Sequence, residues 1–174
     1  MSSAGDNIVL IGPMGAGKSA VGRALASAMG MQFIDTDLLI EDRCGADIPW
    51  IFDIEGEQGF RKRETTVLKE ISTVSNSVIA TGGGVVETPE NHVLLKKTGK
   101  VVYLSAPANV LFRRVAKDKS RPLLQVENPR AAYEELFGRR DPIYRQLADV
   151  IYQGSDNTSP QEVARKLAEQ LLEI

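Results

Sequence analysis

A single cysteine, Cys44, stands in the 174 residues, so no disulfide can form within the chain, and a reducing cytoplasm suits it. Long apolar runs are missing as well. After the polar Met1 to Asn7 comes only Ile8-Val9-Leu10-Ile11, too short for a signal peptide or a membrane span. No charge of one sign predominates: 21 Lys and Arg against 23 Asp and Glu leave a net charge of -2, which argues against general nucleic-acid binding. Repeats, low-complexity tracts and Gly/Ser linkers are absent too, and the length fits one α/β domain with a substantial core. The 43% apolar and 25% charged content is ordinary for such a domain. A guanine-reading Asn-Lys-x-Asp stretch, which a GTP switch would carry, is also absent. The one histidine, His92, reads as a surface residue and the one tryptophan, Trp50, as a packing residue.

What is present is concentrated in Gly12-Pro13-Met14-Gly15-Ala16-Gly17-Lys18-Ser19. An apolar strand pattern, Ile8 to Ile11, precedes it, and a helical pattern follows, with Val21, Leu25, Ala28 and Met29 recurring on one face. Strand, glycine loop and helix together are the context of a phosphate-binding P-loop. The glycines let successive N–H groups turn inward as a nest for phosphate oxygens, and the helix N-terminus adds partial positive charge. In that setting Lys18 reaches the β- and γ-phosphates, and the Ser19 hydroxyl is a ligand for Mg²⁺. The implied co-substrate is a nucleoside triphosphate.

Further on, strand patterns at Gln32 to Ile34, Ser77 to Ala80, Val101 to Leu104 and Val150 to Tyr152 alternate with helical ones. The helical stretches are Leu38 to Arg43, a piece starting near Asp47, Glu57 to Val74, Pro89 to Lys97, Ala108 to Lys117, Pro129 to Gly138, Pro142 to Ala148 and Pro160 to Leu172. Such alternation predicts a parallel sheet with right-handed crossovers. Two segments hold helices without strands. That at about 38–74 reads as a substrate-binding excursion, and the Pro-broken stretch at about 117–130 as a mobile lid.

Asp35 and Asp37 lie at the carboxyl end of the second strand, the edge at which open α/β sheets bind ligands. Were both in the strand, their spacing would put them on one face. One carboxylate can then hold Mg²⁺ while the other orients or deprotonates an acceptor hydroxyl. An Asp at a strand end also serves as turn former or helix N-cap. Gly82-Gly83-Gly84 at the next strand end allows close backbone approach to a ligand. Arg61 and Arg140 are candidates for gripping a carboxylate, although a lone Arg is more often a surface ion pair. Arg121, beside Pro122 in the connector, is placed like an arginine finger.

In order along the chain, the P-loop, Phe33-Ile34-Asp35-Thr36-Asp37, Gly45 to Glu57, Gly59-Phe60-Arg61, Ala80-Thr81-Gly82-Gly83-Gly84, Arg121-Pro122-Leu123-Leu124 and Arg140-Asp141-Pro142-Ile143-Tyr144 resemble the shikimate kinase family over nearly the whole length. The resemblance implies a three-layer α/β sandwich of the nucleoside monophosphate kinase type, with a five-stranded parallel sheet, and residues 1–174 as one kinase domain. It implies transfer of the γ-phosphoryl of ATP to the 3-hydroxyl of shikimate, with Mg²⁺, by a cytoplasmic monomer acting on small molecules and not on nucleic acid or membrane. Carried over by motif, Gly15, Ala16, Gly17, Lys18, Ser19 and Ala20 contact the nucleotide. Arg114 stacks on adenine, and Asn157 touches it. Shikimate is bound by Asp37, Arg61, Gly82, Gly83, Gly84 and Arg140. Lys18, Asp37 and Arg121 are catalytic, and Ser19 with Asp35 holds the metal. Ala20 stands where Thr often follows the loop, a side chain that phosphate binding does not require. Gluconate kinases and nucleoside monophosphate kinases are of similar build and also fit a hydroxylated, anionic acceptor.

Overall fold

The computed structural model describes residues 6–155 and 157–173. Five strands form one parallel sheet: β1 (Asn7–Ile11), β2 (Gln32–Asp35), β3 (Ser77–Ala80), β4 (Gly99–Ser105) and β5 (Val150–Gln153), in the order β2-β3-β1-β4-β5. β1 is central and buried along its whole length, as a parallel strand covered on both faces must be.

Alternation along the strands sorts side chains into two layers. Ile8 and Leu10 of β1, with Val102 and Leu104 of β4, pack against α1 (Lys18–Met29) and α7 (Pro160–Leu172). Val9, Ile11, Val101 and Tyr103 face the other way, towards α3 (Ile48–Ile71), α4 (Pro89–Thr98) and α6 (Pro129–Leu147). This is the three-layer sandwich expected from the alternating pattern.

Two smaller apolar clusters lie off the sheet. Ile40 of α2 (Thr36–Cys44) packs with Ile51, Phe60 and Val67 of α3, giving the segment after β2 its own core. Leu111 and Val115 of α5 (Ala108–Val115) pack with Met14, Tyr133, Leu136 and Leu124, the last from a 3-10 turn at Pro122–Leu124. The connector is thus pinned at Leu124, which is buried, while Gln125 to Asn128 are exposed.

Several boundaries differ from the sequence reading. The two helices expected at 129–138 and 142–148 are one, α6, with Pro142 inside it. Proline in a helix interior costs about 3 kcal/mol. Here Tyr133, Leu136 and Arg140 before it, and Tyr144 and Leu147 after it, are all buried along one helix, and their packing outweighs that cost. α3 begins at Ile48, N-capped by Asp47 as expected, and is two helices joined across a non-helical break at Gly56 (φ 74°, ψ 175°), where the sequence puts the interruption; it ends at Ile71, short of the expected Val74. Trp50 is 47% exposed and is no packing residue, because the first turn of α3 turns it outward. His92 is half-buried, its Nε2 2.5 Å from the Val86 carbonyl oxygen.

Candidate active site

The carboxyl ends of β1, β2 and β3 bring the chemistry-bearing residues to one edge of the sheet. The loop after β1 curls because Gly15 and Gly17 take left-handed angles (φ 88° and 87°) that a side chain would resist. Gly17 is the N-cap of α1 and has no side-chain cap, so the first N–H groups of that helix keep no side-chain partner at this end. That is the condition for binding an anion at a helix N-terminus.

Lys18 stands at the first position of α1, and its ammonium donates to the carbonyl oxygens of Gly12 (2.6 Å) and Pro13 (3.0 Å). Desolvation in the crowded loop, followed by the nearby positive charge of Arg121, pushes its pKa down to about 7. Arg121 and Arg140 on one hand and Asp37 and Asp35 on the other surround the ammonium, and the loss of water outweighs the attraction of the two carboxylates.

Asp35 is the N-cap of α2, accepting from the N–H groups of Asp37 (3.0 Å) and Leu38 (3.3 Å) through Oδ1. Its Oδ2 accepts from the Ser19 hydroxyl at 2.7 Å. The helix starts two residues earlier than the sequence suggested, so Asp37 is not in the strand but in the first turn of α2. Strand spacing therefore does not put the two aspartates on one face. They reach the same cleft because a cap and the residue two beyond it both project over the helix N-terminus. Burial first, then the charge of Asp35, raises the Asp37 pKa above the ordinary carboxylate range, and its Oδ1 has no hydrogen-bond partner.

Three adjoining cavities make up the cleft. The central one, about 280 Å³, is lined by Lys18, Ser19, Ala20, Asp35, Asp37, Arg114 and Arg121, among others. A second, about 310 Å³, shares Gly15, Gly17 and Arg114 with it and extends to Tyr152, Ser155, Thr158 and Pro160. A third, about 80 Å³, shares Met14, Asp37, Gly82, Gly83 and Arg121 with the central one, and adds Arg61, Arg140, Gly84, Phe52, Phe60 and Glu64. Arg61 and Arg140, far apart in sequence, thus meet in one compartment beside Asp37.

Each arginine of that compartment has a protein carboxylate behind it. Arg61 donates through Nη1 to Glu64 Oε1 (3.0 Å) and through Nη2 to Glu57 Oε1 (3.4 Å). Glu64 is wholly buried, its Oε2 is unpartnered, and burial lifts its pKa to about 7 despite Arg61. Arg140, only 2% exposed, donates through Nε to Glu87 Oε2 (2.9 Å). Its Nη2 lies 2.8 Å from the same oxygen, within ion-pair range, but makes no hydrogen bond. Glu87 also pairs with Arg139. Two tyrosines brace the walls: Tyr133 donates to the Met14 carbonyl (2.7 Å) and Tyr144 to the Gly83 carbonyl (2.5 Å).

Arg121 faces both the central and the third cavity, and its Nε donates to Asp118 Oδ2 at 3.1 Å. Arg114 donates to the Gly15 carbonyl (2.8 Å) and the Ser155 carbonyl (3.4 Å) at the edge of the second cavity. Asn157 is exposed and is not among the residues lining that cavity; its neighbours Ser155 and Thr158 are. Sequence reasoning passed over Glu64, Glu87, Tyr133 and Tyr144. Glu64 lies three residues after Arg61 on a helix, a spacing that places the two side by side. No comparable local signal marks Glu87.

The family described as "Shikimate kinase" matches residues 14–172. The shikimate kinase of Halorhodospira halophila is 51% identical over 164 residues, 94% of this chain and 92% of that protein. That of Psychrobacter arcticus is 49% identical over 165 residues, 95% of this chain and 88% of the relative. A solved structure, the shikimate kinase of Acinetobacter baumannii in complex with shikimate, superposes with a TM-score of 0.93 at 46% identity, covering 97% of this chain and 94% of that one. The chain belongs to the shikimate kinase family.

Proposed function

We propose, with membership of the shikimate kinase family as the premise, that this protein transfers the γ-phosphoryl group of ATP to the 3-hydroxyl of shikimate, giving shikimate 3-phosphate and ADP on the way to chorismate and the aromatic amino acids. The observation that carries the reading is the meeting of Asp37, Arg61 and Arg140 around a small compartment that adjoins the P-loop cavity. A hydroxylated carboxylic acid needs cations for its carboxylate and an acceptor for its hydroxyl, and both are there.

In this reading Arg61 and Arg140 grip the substrate carboxylate and Asp37 accepts a hydrogen bond from the reacting hydroxyl. The hydroxyl oxygen attacks the γ-phosphorus. The bond from that phosphorus to the β,γ-bridging oxygen breaks, ADP leaves with the electron pair, and the hydroxyl proton passes to Asp37. Lys18 and Arg121 stabilise the charge that builds on the phosphoryl oxygens. The backbone N–H groups of Gly15 to Ala20 cradle the phosphates, and Arg114 lies along the adenine. Ser19 and Asp35 form a pair of hard oxygen donors 2.7 Å apart, which suits Mg²⁺ held by few protein groups together with substrate phosphate and water. Bound there, the ion would neutralise phosphate charge.

The same reading treats residues 1–174 as one kinase domain, with the segment at about 38–74 as the substrate-binding excursion and that at about 117–130 as a lid. The enzyme works as a cytoplasmic monomer on small molecules, without nucleic acid or membrane as partner. The net charge of -2 supports the first exclusion, and among the described residues no helix is long and apolar enough to cross a membrane. The deciding experiment is ADP release by the purified protein with shikimate, gluconate or nucleoside monophosphates as acceptor. Release with shikimate is the expected result; release with another acceptor and none with shikimate overturns the assignment.

Replacing Arg61 or Arg140 by Lys keeps the charge but loses the planar fork. Shikimate binding then weakens by roughly 1–3 kcal/mol for each charge-assisted hydrogen bond lost. ATP affinity without shikimate stays unchanged, and an analogue lacking the carboxylate binds poorly to the parent and is indifferent to either change. Calorimetric titration of both ligands checks this; equal losses for shikimate and the analogue would rule out a carboxylate clamp.

Closure of the lid carries Arg121 onto the phosphates and shuts out water. With only Leu124 buried in its middle, the connector has little to hold it closed without ligand. Amide exchange across residues 119–127 therefore slows when an ATP analogue and shikimate are both bound. Exchange that is the same with and without ligands would count against a lid.

A further inference from the structure

Three consecutive glycines follow β3, yet none of them has a positive φ. Gly84 sits at φ -92°, ψ 6°, a conformation open to any residue. Backbone freedom is therefore not the reason for glycine here, and at Gly82 and Gly84 space is. A methyl group on Gly82 would lie 2.8 Å from Asp37 Oδ1 and 3.1 Å from Glu64 Oε2. On Gly83 it would lie 3.4 Å from Arg140 Nη1. On Gly84 it would fall 2.2 Å from Nη2, 2.6 Å from Cζ and 2.7 Å from Nη1 of Arg61. The whole guanidinium rests against a bare Cα.

We infer that Gly84 is a positioning residue for shikimate binding, its missing side chain forming the seat on which the Arg61 guanidinium lies in register with Arg140. Arg61 is also held by Glu64, which is buried and cannot yield easily. A methyl at Gly84 leaves the turn undisturbed, because the backbone angles are ordinary and the obstructing atoms are the far end of a long side chain. The guanidinium has to retreat by about 1 Å to reach normal contact distance, a displacement large enough to degrade a positioned site. The inference rests on the reading of Arg61 as a carboxylate contact.

The test is a double-mutant cycle on the full chain, Gly84→Ala with Arg61→Ala, with Gly138→Ala as the control, since nothing lies within 4 Å of a methyl added there. Gly84→Ala is expected to raise KM for shikimate roughly tenfold, the size of one weakened charge-assisted hydrogen bond, with kcat and KM for ATP within about twofold and an unchanged melting temperature. In the Arg61→Ala background the same change should alter KM less than twofold. Fully multiplicative effects would overturn the inference, as would an unchanged KM in the single variant. A readout independent of activity is the ¹⁵N–¹H spectrum of the Arg61 guanidinium, expected to shift in Gly84→Ala and not in Gly138→Ala. If Arg61→Ala alone leaves KM unchanged, the clamp assignment fails, and an unshifted spectrum would separately refute the seat.

Discussion

Lys18→Ala yields a folded protein whose turnover is lower by roughly 10³-fold or more, the scale on which a cationic side chain acts on a transferring phosphoryl group. The fold tolerates the change. Lys18 lines the cleft, and its truncation removes two hydrogen bonds, those to the Gly12 and Pro13 carbonyls. The loss is confined to the state in which phosphate charge has to be balanced. Arg121 and Arg114 line the same cavity, but neither belongs to the loop after β1 that cradles the phosphates. Single-turnover ADP release at saturating ATP, together with a melting curve, checks the prediction. Near-parent turnover in a folded variant would sink the P-loop assignment.

Asp37→Asn lowers kcat by roughly 10²- to 10⁴-fold, the range typical of losing a general base. Asparagine keeps the shape and the helix-turn position but cannot take up a proton. The environment of Asp37 suits the role: burial and the neighbouring Asp35 raise its pKa, making it a stronger base than a solvated aspartate, and one of its oxygens lacks a partner within the protein. Nucleotide affinity stays near that of the parent because the loop after β1 is untouched. Asp35→Asn behaves differently. Asparagine is also a good N-cap, so α2 keeps its start. What is lost is the negative oxygen beside Ser19, and with it part of the affinity for Mg²⁺. Raised Mg²⁺ therefore restores activity in part to the Asp35 variant and not to the Asp37 variant. Rescue of both, or parent-like kcat in the Asp37 variant, would show that the two carboxylates do not divide the work in this way.

Local features account for most of what could be read in advance. The strand-loop-helix from Asn7 to Met29, the strand patterns at 77–80 and 150–152, the Asp47 cap and the last helix all lie where periodicity and capping residues put them. Each depends on interactions within a few residues, and these are written in consecutive side chains. The errors fell where packing overrode local preference. Pro142 reads as a helix end, and the buried faces on both sides carry α6 through it. Asp37 reads as sharing a strand face with Asp35 and lies in the first turn of α2. Trp50 reads as a core residue and lies at the surface.

By itself the sequence determined the P-loop, the alternation that demands a parallel sheet, and the kinds of residue available for an anionic, hydroxylated acceptor. Only the tertiary structure decided which of those residues meet. It set Arg61 and Arg140 in one compartment and gave each a carboxylate behind it. It also supplied a reason for glycine at 82 and 84, where an added Cβ would crowd Asp37 and Arg61, a reason the backbone angles do not contain. The physical reason is one of range. Helix and strand preferences act over a few residues, whereas the crowding of charged side chains over a bare Cα depends on elements brought together only when the core packs.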